Sequence, residues 1–182
     1  MNAMLFLVDT LIKLYLMVVI LRLWLQLARA DFYNPFSQFV VKATQPILKP
    51  LRRVLPSMGA VDTASVVLAL AIGIGYWFAM TGIAGQPIQV LQALYLGVLT
   101  TLKEAGMLLF WILLIRAILS WVSQGRSPIE YVMAQLTEPF LAPIRRRMPD
   151  LGGLDLSMLV VFLILNVINM LLLQYLPGWQ AA

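Results

Sequence analysis

The chain has 182 residues, of which 62% are hydrophobic and 12% charged, with 13 Lys and Arg against 8 Asp and Glu for a formal net charge of +5. Ordinary soluble domains are roughly half apolar and a quarter charged, so this sequence has too little polar surface to face water and has the composition of an integral membrane protein. Cysteine and histidine are both absent, which excludes disulfides, thiolate nucleophiles and Cys-based metal sites, and removes the commonest metal ligand, axial haem ligand and general base.

A membrane-crossing helix needs about 20 predominantly apolar residues. Four stretches meet that length, at approximately 4–28, 61–82, 106–122 and 154–176. The first differs from a cleaved signal peptide: it has no basic leader, it carries Asp9, Lys13 and Arg22 within it, and no small-x-small site follows. It is expected to be a retained helix. Asp9 and Lys13 are spaced i, i+4 and are expected to neutralise each other near the outer interface. Whether residues 86–105 continue the third helix or lie at the interface is left open by the pattern.

Between the first and second spans runs "ATQPILKPLRRVLPSMGAVD", Ala43 to Asp62, and between the third and fourth runs "LTEPFLAPIRRRMPDLGGLD", Leu136 to Asp155. Thr44/Thr137, Pro46/Pro139, Leu48/Leu141, Pro50/Pro143, Arg52/Arg145, Arg53/Arg146, Pro56/Pro149, Gly59/Gly152 and Asp62/Asp155 coincide without a gap. The chain is therefore a tandem duplication, with repeats at 1–95 and 96–182. The expected fold is an all-α membrane protein whose four transmembrane helices form two helix, amphipathic connector, helix units, with connectors at 33–56 and 127–149.

Nine of the thirteen basic residues fall in these connectors: Arg29, Lys42, Lys49, Arg52, Arg53, Arg126, Arg145, Arg146 and Arg147. By the positive-inside rule both connectors face the cytoplasm and both termini lie outside. Two spans per unit give the copies the same orientation, as parallel repeats about an axis along the membrane normal. Phe36, Phe39, Val40, Ala43, Ile47, Leu48, Leu51 and Leu55 follow helical spacing, as do Ile129, Val132, Met133, Leu136, Phe140, Leu141, Ile144 and Met148, and basic residues oppose both stripes. Asn34-Pro35 and Ser127-Pro128 are N-terminal start signals. Pro46, Pro50 and Pro56, with their counterparts, are expected to break each connector into short surface or re-entrant pieces.

These motifs carry a resemblance. "NPFSQFVVKATQPILKPLRRVLPSMGAVD" and "SPIEYVMAQLTEPFLAPIRRRMPDLGGLDLS" resemble the YggT family of bacterial membrane proteins, marked by a Pro-rich, Arg-Arg, Pro, Gly-Gly, Asp segment between two membrane helices. The resemblance covers both halves. It implies kinship with plastid members associated with cytochrome b6 haem attachment or with nucleoid and division phenotypes, and with bacterial members linked to osmotic stress and potassium uptake. The first copy departs from the pattern, with Gln45 for the acidic residue and Ala60 for the second Gly. Glu138 alone keeps the acidic position.

Arg22 and Arg116 each lie inside the end of a membrane helix, where a lone Arg costs about 2.5 kcal/mol or more at the bilayer centre. One expectation is two symmetric ion pairs, Arg22 with Asp62 and Arg116 with Asp155. The plainer alternative is that the arginines snorkel to lipid phosphates while the aspartates cap helix starts. The pairs Arg52-Arg53 and Arg145-Arg146 suit either a phosphate or acidic partner, or anionic lipid, which is worth about 1 kcal/mol per charge near the surface. With the charges anchored at lipid, no nucleic-acid ligand is expected. "GIGYWF" at Gly73 to Phe78 is read as close helix packing, with Ala71, Gly75 and Ala79 or Ala69 and Gly73 forming small-residue faces. Asn166 and Asn169 share a face and suggest interhelical hydrogen bonds or part of a polar seam.

No phosphate loop, nucleophile elbow or paired-carboxylate site is present in the sequence. The expected function is therefore non-enzymatic and without a resident cofactor: a scaffold or assembly factor presenting basic connectors to anionic lipid and to a membrane-protein partner or a second copy. The alternative is osmotic-stress transport of potassium or an osmolyte through a seam of Arg22, Arg116, Asp62, Asp155 and Asn166.

Overall fold

A computed structural model describes residues 3–59, 61–87, 89–122, 127–147 and 156–182. Six helices carry the described chain: α1 (Ala3–Leu27), α2 (Pro35–Val54), α3 (Thr63–Ile83), α4 (Val90–Val122), α5 (Pro128–Arg145) and α6 (Ser157–Tyr175). Helices α1, α3, α4 and α6 are long and apolar enough to cross a membrane, and together they fit a multi-pass membrane protein. Each of α2 and α5 lies in chain order between two of them.

The open question about residues 86–105 is answered by α4. Val90 to Val122 form one helix of 33 residues, about 50 Å long at 1.5 Å per residue and longer than a roughly 30 Å hydrocarbon core. After Pro87 no proline interrupts the segment, and single glycines such as Gly97 and Gly106 are tolerated in a helix. The repeat boundary placed between residues 95 and 96 lies within α4.

The connectors also depart from expectation, because neither breaks at its internal prolines. Pro46 and Pro50 lie inside α2, and Pro139 and Pro143 inside α5. In each helix the two prolines are four residues apart on one face, and all four are exposed. The carbonyls that lose an amide partner thus lie on the open side, where water or head groups can satisfy them, so the helix continues. P46A should restore an amide donor without filling any buried space. Its expected effect is an unchanged or higher melting temperature in detergent, with a gain of at most about 3 kcal/mol on the intrinsic helix scale. A clear loss in a melt followed by tryptophan fluorescence would mean that a proline bend is required.

Only part of each predicted connector stripe faces protein. Val40, Thr44 and Leu48 in α2 and Val132, Met133, Leu136, Thr137 and Leu141 in α5 are buried, whereas Phe39, Ile47, Ile129 and Phe140 are exposed. The buried faces join Leu16, Val19 and Leu25 of α1 and Leu68 of α3 in the main core. Leu141 also packs with Leu109 and Leu113 of α4 and Val161 of α6. Between helices in lipid there is little hydrophobic driving force, so close van der Waals fit and interhelical hydrogen bonds must hold the bundle.

That fit is tightest where α3 crosses α4. A Cβ added at Gly97 would lie 2.6 Å from the Ile74 Cα, and one at Gly73 would lie 2.5 Å from the Gly97 carbonyl oxygen. Trp77 Nε1 donates to Thr100 Oγ1 at 2.8 Å across the same contact. The small-residue expectation therefore holds for Ala69 and Gly73, which are buried. It fails for Ala71 and Gly75, which are exposed; a Cβ at Gly75 would meet nothing within 4 Å.

Candidate functional site: two unequal basic clusters

The polar groups of the duplicated motif gather at the connector end of the bundle, and the two copies use them differently. In the first copy, Arg22 lies on α1 near its C-terminal end and is only 7% exposed. Its Nε and Nη1 are buried without a hydrogen-bond partner, and its guanidinium stands 5.1 Å from the Phe32 ring centroid. The ion pair expected with Asp62 is not formed. Asp62 is instead taken by Arg52, whose Nε donates to Oδ2 at 3.2 Å and whose Nη2 donates to the same oxygen at 2.5 Å. Ser65 Oγ donates to Oδ2 at 2.6 Å.

The reason is local. Arg52 stands in the last turn of α2, where its fork meets the carboxylate at the start of α3, while the Arg22 guanidinium lies over Phe32. Asp62 is thus at the N-cap position of α3, as the capping alternative requires, but an ion pair engages its carboxylate. Burial raises the Asp62 pKa, but the hydrogen bonds from Arg52 and Ser65, with the Arg52 charge, outweigh it and hold the group below the usual carboxylate range.

In the second copy, among the described residues, the acidic residue of the motif contacts two arginines. Glu138 Oε1 accepts from Arg145 Nη1 at 3.0 Å, and Oε2 lies 3.5 Å from Arg116 Nη2. Arg116 Nη1 also donates to Thr137 Oγ1. Gly152 and Asp155, and with them the expected pair of Arg116 and Asp155, lie outside the described residues. Arg53 and Arg146 are exposed at the connector surface with no ion-pair partner within 4.0 Å among the described residues.

Sequence reasoning missed how the copies are joined. Asn34 Oδ1 accepts from the Phe36 amide at 3.0 Å, the expected cap, but its Nδ2 also donates to the Pro128 carbonyl of the other connector at 2.6 Å. Gln135 Oε1 accepts from the Asp31 amide at 3.0 Å. Ser127 stands at the N-cap of α5 without a side-chain cap bond. Matching Asn-Pro and Ser-Pro starts give no hint that one of them bridges to its counterpart.

Among the described residues, the members of the expected polar seam do not share one cavity. Asn166 and Asn169 line a cavity of about 390 Å³ between α4 and α6 with Lys103 and Trp179, and Arg22, Asp62 and Arg116 are not among its walls. Asn166 donates back to the Phe162 carbonyl, Asn169 accepts from Trp179 Nε1, and Lys103 is held by the Trp179 and Ala182 carbonyls. The groove between the halves, about 480 Å³ and bounded by Ile20, Trp24, Leu109 and Phe140, is apolar. Near the far end of α1, Asp9 pairs with Lys13 at 3.0 Å and accepts from the Tyr76 hydroxyl at 2.7 Å.

Both clusters lie within segments that a family profile matches. The profile described as CCB3/YggT matches residues 1–83 and 95–176, one stretch in each half. The chain belongs to the CCB3/YggT family. Among curated relatives, "Uncharacterized protein in proC 3'region" of Vibrio alginolyticus is 60% identical over 174 residues, covering 94% of each chain. "Uncharacterized protein YggT" of Escherichia coli (strain K12) is 52% identical over 171 residues, covering 93% of this chain and 89% of that one. A 55-residue stretch is 40% identical to "YlmG homolog protein 2, chloroplastic" of Arabidopsis thaliana, covering 30% of this chain and 22% of the plant protein. No solved structure matches.

Proposed function

We propose that this CCB3/YggT protein is a non-enzymatic scaffold or assembly factor of the bacterial inner membrane, with its connectors in the cytoplasm, where they engage anionic lipid and a membrane-protein partner. The observation that carries the reading is the construction of α2 and α5. Each buries one face in the transmembrane bundle and leaves Arg53, or Arg145 to Arg147, exposed, with apolar side chains such as Phe39, Val54 and Phe140 exposed on the same helices. Helices that expose both basic and apolar side chains on a rigid support suit a membrane-interface platform. The assembly role implied by the plastid members points the same way.

Transport of potassium or an osmolyte is the second reading. The Asn166, Asn169 and Lys103 cavity speaks for it, while the apolar groove between the halves and the internal hydrogen bonds of Lys103 and Asn169 weigh against it.

Photoreactive residues at Arg53 and Arg146 in native membranes separate the readings. A reproducible protein adduct at both positions is expected. Lipid adducts alone, together with potassium flux through liposomes containing the purified protein, would overturn the scaffold in favour of transport.

A further inference from the structure

The comparison of the two repeats points to a ligand. In the second copy, the carboxylate of Glu138 sits between Arg116 and Arg145. The aligned residue of the first copy is Gln45, which brings no charge. There Arg52 is already committed to Asp62, and Arg22 keeps two buried nitrogens without a partner. The second copy also replaces Lys42 by Gln135, so the first copy holds an extra cation as well as lacking the internal anion.

These groups enclose a real space. Arg22, Lys42, Arg52, Gln38, Gln45 and Phe32 line a pocket of about 370 Å³, within the range of roughly 300–1,000 Å³ usual for small-molecule sites. Arg22 forms its floor beside the Phe32 ring, while Lys42, Gln38 and Gln45 are exposed at its rim. Asp62 is 1% exposed, paired with Arg52, and not among the pocket's walls.

We propose that this pocket binds one phosphate group, which takes the place that Glu138 fills in the other repeat. A buried guanidinium with unmade hydrogen bonds is costly unless an acceptor reaches it. Arg22, Lys42 and the two glutamine amides offer more donors than a carboxylate has oxygens to receive. A phosphate, with its terminal oxygens and up to two negative charges, matches that set in both charge and geometry. Arg22 stands five residues before the end of α1, a depth that the head group of an anionic lipid can reach; a soluble phosphate ester would enter from the rim. The proposal deepens the lipid-facing part of the scaffold reading and rests on it only for the site's place at the membrane surface.

The test uses the full chain in maltoside micelles, stripped of lipid by extensive exchange. Calorimetric titrations with short-chain phosphatidic acid and, separately, with inorganic phosphate report saturable binding and its stoichiometry. Binding of one equivalent of either probe is expected; saturation by the lipid alone assigns a head group, and saturation by inorganic phosphate assigns a soluble ligand. Q45E supplies the missing carboxylate from the protein and should weaken binding at least tenfold while melting no lower than wild type. The rim variant K42Q should weaken it severalfold, and gives the same information if Q45E does not fold. No saturable binding of either probe, or binding by both variants within twofold of wild type, would overturn the proposal. Q45E leaves Arg53 and Arg146 in place, so partner adducts at those positions should persist in it. Failure of the pocket and failure of the scaffold are therefore read separately.

Discussion

Replacing Arg52 by Gln is expected to destabilise the protein by about 3 kcal/mol, and more than replacing Asp62 by Asn does. Removing one partner of a buried ion pair costs roughly 3–5 kcal/mol when the charge left behind stays buried. The two partners here differ in that respect: the Asp62 side chain is 1% exposed and that of Arg52 is 30% exposed. R52Q leaves a carboxylate sealed at the start of α3 with the Ser65 hydroxyl as its remaining side-chain donor. D62N leaves a guanidinium that can swing toward head groups, so roughly 1–2 kcal/mol is expected. Arg22 also acts electrostatically on this carboxylate, which holds the R52Q cost near the lower end of the range.

The pH dependence has a fixed sign. The folded-state pKa of Asp62 is depressed, so its contribution is present above the unfolded carboxylate value and is lost as pH falls through the lower folded value. The gap between wild type and R52Q should be constant near neutrality, begin to close as the buried Asp62 of the variant, raised by burial once Arg52 is gone, takes up its proton, and be smallest below the depressed wild-type value. Equal losses in R52Q and D62N, or a gap that widens in acid, would contradict this account of the pair. Melts in detergent micelles followed through the five tryptophans provide the measurement.

The second large effect is expected at Gly97. G97V places branched carbon where an added Cβ already lies 2.6 Å from Cα and 2.7 Å from N of Ile74. These neighbours are backbone, which cannot rotate away as a side chain can, so α3 and α4 must separate. Overpacking of a well-fitted interior typically costs about 1–3 kcal/mol, and a backbone clash belongs at the top of that range or above it. Separation would also lengthen the Trp77 to Thr100 bond, which is 2.8 Å in the native contact. G75V, where nothing lies within 4 Å, is the matched control and should melt within about 0.5 kcal/mol of wild type.

The fold is legible in the sequence wherever one strong signal acts alone. Four apolar runs gave four long helices, and the gap-free repeat of Pro, Arg-Arg and Asp gave two equivalent connectors. Legibility failed where a local rule competed with tertiary placement. Pro46 and Pro50 read as breaks, but their shared exposed face leaves the orphaned carbonyls accessible, and α2 runs through. Gly73 and Gly75 read alike, although one helical face meets α4 and the other does not.

The site followed the same division. Arg22, Arg52, Asp62, Arg116 and Glu138 all stand out by residue type and position, yet the sequence leaves Arg22 open between an ion pair with Asp62 and a snorkelling side chain, and does not point to Arg52 as the partner of Asp62. Both Arg22 and Arg52 are able to supply the cation, and only the three-dimensional placement of the two side chains decides between them. The exchange of Glu138 for Gln45 was visible from the start as a departure from the motif. Its consequence, an arginine satisfied in one repeat and orphaned in the other, required the geometry.

The central claim is that both connectors form one basic surface on the cytoplasmic side. The chain has no cysteine, so single substitutions R53C and R147C can be labelled cleanly, with G85C between α3 and α4 as the opposite marker. Using a membrane-impermeant maleimide, the account predicts that positions 53 and 147 react in inside-out vesicles and are protected in right-side-out ones, with position 85 reversed. Labelling of positions 53 and 147 from opposite sides, or of both from the outside, would contradict the parallel cytoplasmic arrangement and the scaffold built on it.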